Sequence, residues 1–351
     1  MRVGYWVWRA PVSPIVSIFY MLHRIRTYLF ALGLFWTAAL QAQTLSDEAR
    51  ISLLTCAPGE ELYARYGHTA LRVTDPAHQM DVVFNYGVFD FNTDHFYWKF
   101  VRGETWYELG ASPYRWFMQE YIEMKRPVYE QVLNLTAAQR DSLWKALIVN
   151  YEPQNRSYLY NFVFDNCATR PYHMLIKTLG DSITSTYTGW TGVSYRAFIR
   201  HYTGRFSWSN AGINLLFGPK ADRAMSSEQR LFLPEELMYY LDAAYTPDNT
   251  PVVSCSTIAP FAIDATPWYF GWPVGLFFYW IAIAGISYYD RRRGKWSKWP
   301  EIAAGSIYGL LLLIVFFLTF FSCHPLVGFG WRLFIIPVTH LCARLIYIIR
   351  W

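Results

Sequence analysis

The sequence predicts a mixed α+β domain outside the cytoplasm, carried on a helical membrane anchor. Three observations predict it. Alternating short runs and capped helical patterns fill the middle of the chain, two long apolar runs lie near its end, and a basic-then-apolar segment opens it.

The opening segment places Arg24 and Arg26 before an uncharged run from Tyr28 to Leu40. Leu40-Gln41-Ala42 and polar Gln43-Thr44 follow. This is the order of a secretory signal peptide over residues 1–42, cleaved after Ala42. Read from Met21 the segment has ordinary signal-peptide length, so translation is expected to begin there. An uncleaved anchor is the competing reading.

Residues 43–266 form the expected soluble domain. Residues 49–57, rich in Ile51, Leu53 and Leu54, read as a strand, as do residues 67–74, with Ala70, Arg72 and Thr74 on the face of His68. Residues 81–88 form its hairpin partner, which brings Asn85 or a neighbour close to His68. Residues 92–103 mix aromatic and charged side chains and take no assignment. A short strand is expected at 106–109, and a helix at 113–125 with Trp116, Phe117, Tyr121 and Met124 on its apolar side. A strand at 127–135 leads to the capping box Thr136-Ala137-Ala138-Gln139 and a helix to Tyr151. Residues 158–164 are strand-like and break at Asp165-Asn166 into a helix ending near Gly180. A polar loop at 184–191, helices at 194–202 and 234–244, and a polar linker at 247–267 complete the domain.

Residues 268–289 and 302–322 each supply about the twenty apolar residues that cross a bilayer core. The basic stretch 290–298 between them is cytoplasmic by the positive-inside rule, so the residues before it lie outside. A third run, 331–349, is interrupted by Pro337, His340 and Arg344 and fits a span, a re-entrant segment or an interfacial helix. Residues 267–351 are thus a membrane domain of two or three helices. With few intramembrane charges, they make a poor transport pathway. The net charge of +5 owes much to the basic loop and the N-terminal region. The soluble part has no basic stripe, which argues against nucleic acid as a partner.

The chemistry centres on Cys167, placed in or beside the first turn of a helix. There, free N–H groups and the helix dipole favour a thiolate and lower the pKa from about 8.5 toward or below neutrality. His68 supplies an imidazole, and Asn85, with Asp90 and His95 as rivals, a group to fix its tautomer. Cys56 and Cys255 lie near the two ends of the soluble domain, so a disulfide between them would leave Cys167 free. Cys323 and Cys342 read as apolar packing residues. Arg72, Arg102 and Arg170 could meet an anionic substrate group, but salt bridges are the blander assignment. Tyr66, Tyr86 and Tyr160 could line a groove or pack in the core. Tyr66, Arg102, Asn166 and Arg170 are kept as candidate substrate-binding residues. No metal or cofactor motif is present: His324 and His340 lack a third ligand.

Tyr66-Gly67-His68-Thr69-Ala70-Leu71-Arg72-Val73, Asn85-Tyr86-Gly87-Val88-Phe89-Asp90-Phe91 and Phe164-Asp165-Asn166-Cys167-Ala168-Thr169-Arg170, preceded by Leu53-Leu54-Thr55-Cys56-Ala57-Pro58-Gly59, resemble the Lnb N-terminal periplasmic domain family. The resemblance implies a bacterial inner-membrane protein with this domain in the periplasm. A Gly-His strand followed later by Asn-Cys at a helix start is also similar to circularly permuted papain-like enzymes, the NlpC-type hydrolases and lecithin retinol acyltransferase relatives. That similarity implies a permuted papain-like fold with Cys167 as nucleophile and His68 as base. The expected activity is hydrolysis or acyl transfer at an amide or ester in a peptidoglycan peptide, a lipoprotein or a lipid. The protein partner is left unassigned. The alternative is a non-catalytic binding or assembly module tethered to the inner membrane.

Overall fold

A computed structural model describes residues 44–61, 64–89, 94–180, 183–261 and 267–349. The signal-peptide reading of residues 1–42, with its start at Met21, lies outside the described residues.

The strand β1 (Arg50–Cys56) is buried on both faces, which explains its nearly continuous apolar sequence. It lies inside a seven-stranded sheet with β2 (His68–Asp75), β3 (Met80–Val88), β4 (Trp106–Pro113), β5 (Val128–Leu133), β6 (Ser157–Leu159) and β9 (Val253–Thr257). The order is β6-β4-β3-β2-β1-β5-β9, and every neighbouring pair is antiparallel. Two short strands, β7 (Thr184–Ser185) and β8 (Ala244–Tyr245), pair separately.

Helix α1 (Phe96–Arg102) occupies the stretch that the sequence leaves unassigned. Helix α2 (Tyr114–Glu123) packs Phe117 and Tyr121 against Leu54, Cys56, Ala70 and Val83. Trp116 and Met124, expected on that apolar side, are exposed instead. Helix α3 (Ala137–Tyr151) starts in the expected capping box: Gln139 N–H donates to Thr136 Oγ1 and the Gln139 side chain meets the Thr136 backbone. It sets Trp144 edge-on to Phe84 at 5.9 Å. Helix α4 (Thr169–Leu179) packs against α3 and ends at Gly180, whose φ of 91° suits glycine.

Helix α5 (Tyr195–Thr203) is capped by Ser194, and α6 (Trp208–Leu216), absent from the sequence assignment, by Ser207. Helix α7 (Pro234–Asp242) opens with proline and two glutamates, as expected. Its Glu236 accepts from Arg230 at 2.5 Å in a fully buried ion pair. Residues 158–164 form only the end of a three-residue strand and then a turn. The stretch 247–267 is more than a linker, because it contributes β9 to the main sheet.

The expected Cys56–Cys255 bridge does not form, and both thiols are free. The register gives the reason. Cys255 pairs with Val132, which pairs with Ser52, so Cys255 stands level with Ser52 rather than Cys56. The Cα atoms are thus separated by four residues along the strands, roughly 13 Å, as well as by two strand spacings. A disulfide needs less than about 7 Å.

Helices α8 (Trp272–Arg293) and α9 (Trp299–Phe321) are long and apolar enough to cross a membrane. Helix α10 (Ile335–Ile349) has 15 residues, roughly 22 Å of rise against a core of about 30 Å. Arg344 fastens it to the others: Nε donates to Glu301 Oε1 at 2.6 Å and Nη2 to Asp290 Oδ2 at 3.1 Å, and the guanidinium lies 3.9 Å over the Trp296 ring.

The soluble domain is seated directly on the outer ends of these helices. Cys323 N–H donates to Arg102 O at 2.7 Å, Gly218 N–H to Leu326 O at 2.9 Å, Gly328 N–H to Leu216 O at 3.0 Å and Trp272 N–H to Phe206 O at 3.1 Å. Leu326, from the segment after α9, is buried in the same cluster as Phe198, Phe232 and Phe261 of the domain.

Candidate active site

His68 begins β2, directly after Gly67. The φ of 79° at Gly67 favours glycine, and a Cβ there would lie 2.7 Å from Cys56 O and 2.9 Å from the Phe261 ring. Antiparallel pairing with β3 sets Ala70 opposite Asn85, which puts Asn85 diagonally beside His68 on one face. The contact is 2.5 Å between His68 Nε2 and Asn85 Oδ1. An amide oxygen only accepts, so Nε2–H donates and Nδ1 is left as the basic nitrogen.

Cys167 arrives from a different part of the chain. A turn closed between Asn161 and Asp165 delivers Asn166, whose Oδ1 accepts from the N–H groups of Ala168 (2.8 Å) and Thr169 (3.0 Å). Its Nδ2 donates to Phe162 O and Phe232 O, each at 2.8 Å. The cysteine between this cap and the helix is therefore held tightly. Gly87 of β3 marks where the two groups meet. A methyl group on it would lie 3.6 Å from His68 Cε1 and 3.9 Å from Cys167 Cβ, so both side chains converge over one backbone position. The backbone N–H groups of Thr69, the residue after His68, and of Cys167 itself favour negative charge on the sulfur.

Burial dominates the electrostatics. It pushes the Cys167 thiol up to about 11, against the partial relief of those two N–H groups. It pulls His68 down to about 4, offset by the Asn85 bond and reinforced by the Arg126 charge. The sequence argument for a thiolate fails here for a specific reason. Helix α4 starts two residues after Cys167, and Asn166 already occupies its first N–H groups. Both shifts favour the uncharged forms, the thiol and the imidazole.

The two groups share a cavity of about 110 Å³ with Tyr66, Tyr107, Tyr160, Phe162, Phe232 and Leu233. Tyr66 packs on Phe162 at 4.8 Å. Of the remaining candidates, Tyr86 is a core residue, its hydroxyl donating to Asn150 Oδ1 at 2.5 Å. Asn166 has its amide filled by backbone groups. Arg170 is paired with Asp165 at 2.6 Å, Arg102 with Glu104 at 2.7 Å, and Arg72 with Asp81 at 2.8 Å and Glu130 at 3.0 Å. None of these three arginines lines the cavity. His95 is exposed at the start of α1, and Asp90 lies outside the described residues. His324 Nε2–H donates to Val101 O at 3.1 Å, and His340 Nδ1 meets the Tyr279 hydroxyl at 2.6 Å. Among the described residues no cluster of three His, Cys, Asp or Glu is placed to hold a metal.

Sequence reasoning missed Gly87, Tyr107 and Phe232. A glycine inside a strand signals close approach of another group, so Gly87 could have been found. The two aromatics carried no signal among so many.

Two family models match the chain. The Lnb N-terminal periplasmic domain matches residues 36–206, and the Lnb transmembrane domain matches residues 265–351. The chain belongs to the family of the Lnb N-terminal periplasmic domain. It is an envelope-anchored protein of the inner membrane, with its N-terminal domain in the periplasm and its C-terminal helices in the bilayer. No curated protein and no solved structure matches it. Within the family region, His68, Asn85 and Cys167 all fall inside the periplasmic match, as does most of the cavity.

Proposed function

We propose that the periplasmic domain is a cysteine-dependent enzyme that cleaves or transfers an acyl group at an amide or ester bond. The observation that carries this reading is the convergence of Cys167 and His68 over Gly87, with Asn85 bonded to Nε2 of the ring. Cys167 Sγ attacks the substrate carbonyl carbon while its proton passes to His68 Nδ1. Asn85 fixes the tautomer and supports the imidazolium that forms. Collapse of the tetrahedral intermediate returns that proton to the leaving nitrogen or oxygen and leaves a thioester on Cys167. Water, or an acceptor amine or hydroxyl, then attacks the thioester with His68 again as base. Thr69 N–H and Cys167 N–H, which already favour negative charge on the sulfur, are the donors assigned to the oxyanion.

The order of a histidine strand before a cysteine at a helix start supports a permuted papain-like arrangement. The aromatic cavity and the domain's seat on the membrane helices favour an apolar acyl group of a lipid or lipoprotein over a charged peptidoglycan peptide. The neutral resting pair makes charge separation a consequence of substrate binding rather than a standing state. That same neutrality is what favours the second reading, a non-catalytic binding module.

An acyl-type thiol probe separates the two. Cys167 labelling should be lost in Cys167→Ser, and slowed about 100-fold or more in His68→Ala near neutral pH, the usual worth of a general base. Equal labelling of wild type and His68→Ala would leave the passive module.

A further inference from the structure

We propose that α1 lies in the outer membrane–water interface and inserts its apolar face among the lipids. The helix is short, and three of its four aromatic side chains are more than half exposed. Tyr97 is 76% exposed, Trp98 54%, Phe100 53% and Val101 41%, while Phe96 alone is buried. Such a contiguous apolar patch marks an interaction surface.

The patch is continuous with a membrane span, which identifies its occupant. Trp98 packs on Phe317 of α9 at 5.4 Å between ring centroids. Phe317 lies four residues inside the end of that helix at Phe321, roughly 6 Å along its axis. Two further contacts hold α1 at this level: Arg102 O accepts from Cys323 N–H at 2.7 Å, and Val101 O from His324 Nε2–H at 3.1 Å. By the basic loop between α8 and α9, this end of α9 is the outer one. Trp98 is therefore fixed at the depth where tryptophan and tyrosine gather in membrane proteins, with neighbouring apolar side chains facing outward into the same layer.

A column of rings leads from this face to the catalytic cavity. Phe100 stacks on Phe96 at 6.1 Å, Phe96 on Phe89 at 5.9 Å, Phe89 on Tyr107 at 4.9 Å, and Tyr107 lies 4.2 Å from Tyr160. Phe89, Tyr107 and Tyr160 line the cavity beside Cys167. The exposed face of α1 is thus two ring contacts from the cavity wall at Phe89. The placement of α1 does not rest on the reaction assigned to Cys167.

The test is photocrosslinking of the full chain in vesicles of phosphatidylethanolamine and phosphatidylglycerol. Separate Tyr97→p-benzoylphenylalanine and Val101→p-benzoylphenylalanine variants are irradiated and read by intact-protein mass spectrometry. Val149→p-benzoylphenylalanine, exposed on α3, is the reference. The expected result is a mass gain of one phospholipid, at least tenfold more abundant at position 97 or 101 than at 149. Lipid adducts no more abundant than at 149 for both sites would overturn the proposal. So would adducts to a second copy of the chain in place of lipid.

Discussion

His68 carries a cost in stability beside the role proposed for it. Its imidazole, half-buried on the cavity wall, is held down to about 4 by desolvation, whereas an unfolded chain protonates histidine near 6.5. The stability that depends on keeping it neutral is fully present above about 6.5 and is lost as pH falls toward 4, amounting to about 3 kcal/mol over that window. Thermal melts in detergent should therefore show the protein losing stability between pH 7 and pH 4. His68→Gln should flatten that part of the curve relative to wild type. If both proteins lose stability in parallel there, the ring is not held neutral by desolvation. Cys167 obeys the same rule with the opposite sign. Alkylation of the substrate-free protein by a small thiol reagent should keep rising through pH 9, since the thiol is pushed up to about 11. A plateau already reached at pH 7 would indicate a standing thiolate–imidazolium pair.

At the scale of elements, the segment from Asn161 to α4 decides where Cys167 sits. Asn166 satisfies two helix N–H groups and two buried carbonyls. Asn166→Ala removes a cap worth about 1 kcal/mol and strands the buried carbonyls at about 1–3 kcal/mol together with it. A loss of about 3 kcal/mol is expected in urea unfolding of the full chain, along with slower Cys167 labelling. Unchanged unfolding would mean that the turn is held by something other than this amide. One strand pairing and two helix starts at this scale were readable from local pattern. The His68 hairpin, the Thr136 capping box and the proline start of α7 all follow from side chains within a few residues of each other. Other elements were not readable. β9 lies in a polar stretch and exists because β5 offers it an edge, and α1 has no buried stripe to reveal it.

The whole molecule joins its two parts through shared packing rather than a free tether. Gly218 and Gly328 pack backbone against backbone: a Cβ on Gly218 would lie 2.8 Å from Gly328 Cα, beside the bond from Gly218 N–H to Leu326 O. Gly218→Ala should push these backbones apart at about 1–3 kcal/mol, the usual penalty of overpacking. Hydrogen exchange should then quicken both at residues 216–218 and at 326–328. Acceleration confined to one of the two segments would show that they are not coupled.

The sequence by itself determined the side of the membrane on which the domain lies, the two long apolar helices, the central strands and capped helices, and the residue types able to do thiol chemistry. Each of these depends on neighbours close in the chain, where periodicity, caps and charge act directly. Only the tertiary structure decided the ionisation of Cys167, the absence of a Cys56–Cys255 bridge, and the ion pairs that occupy Arg72, Arg102 and Arg170. Those outcomes depend on burial and on register between distant strands, which no local pattern encodes.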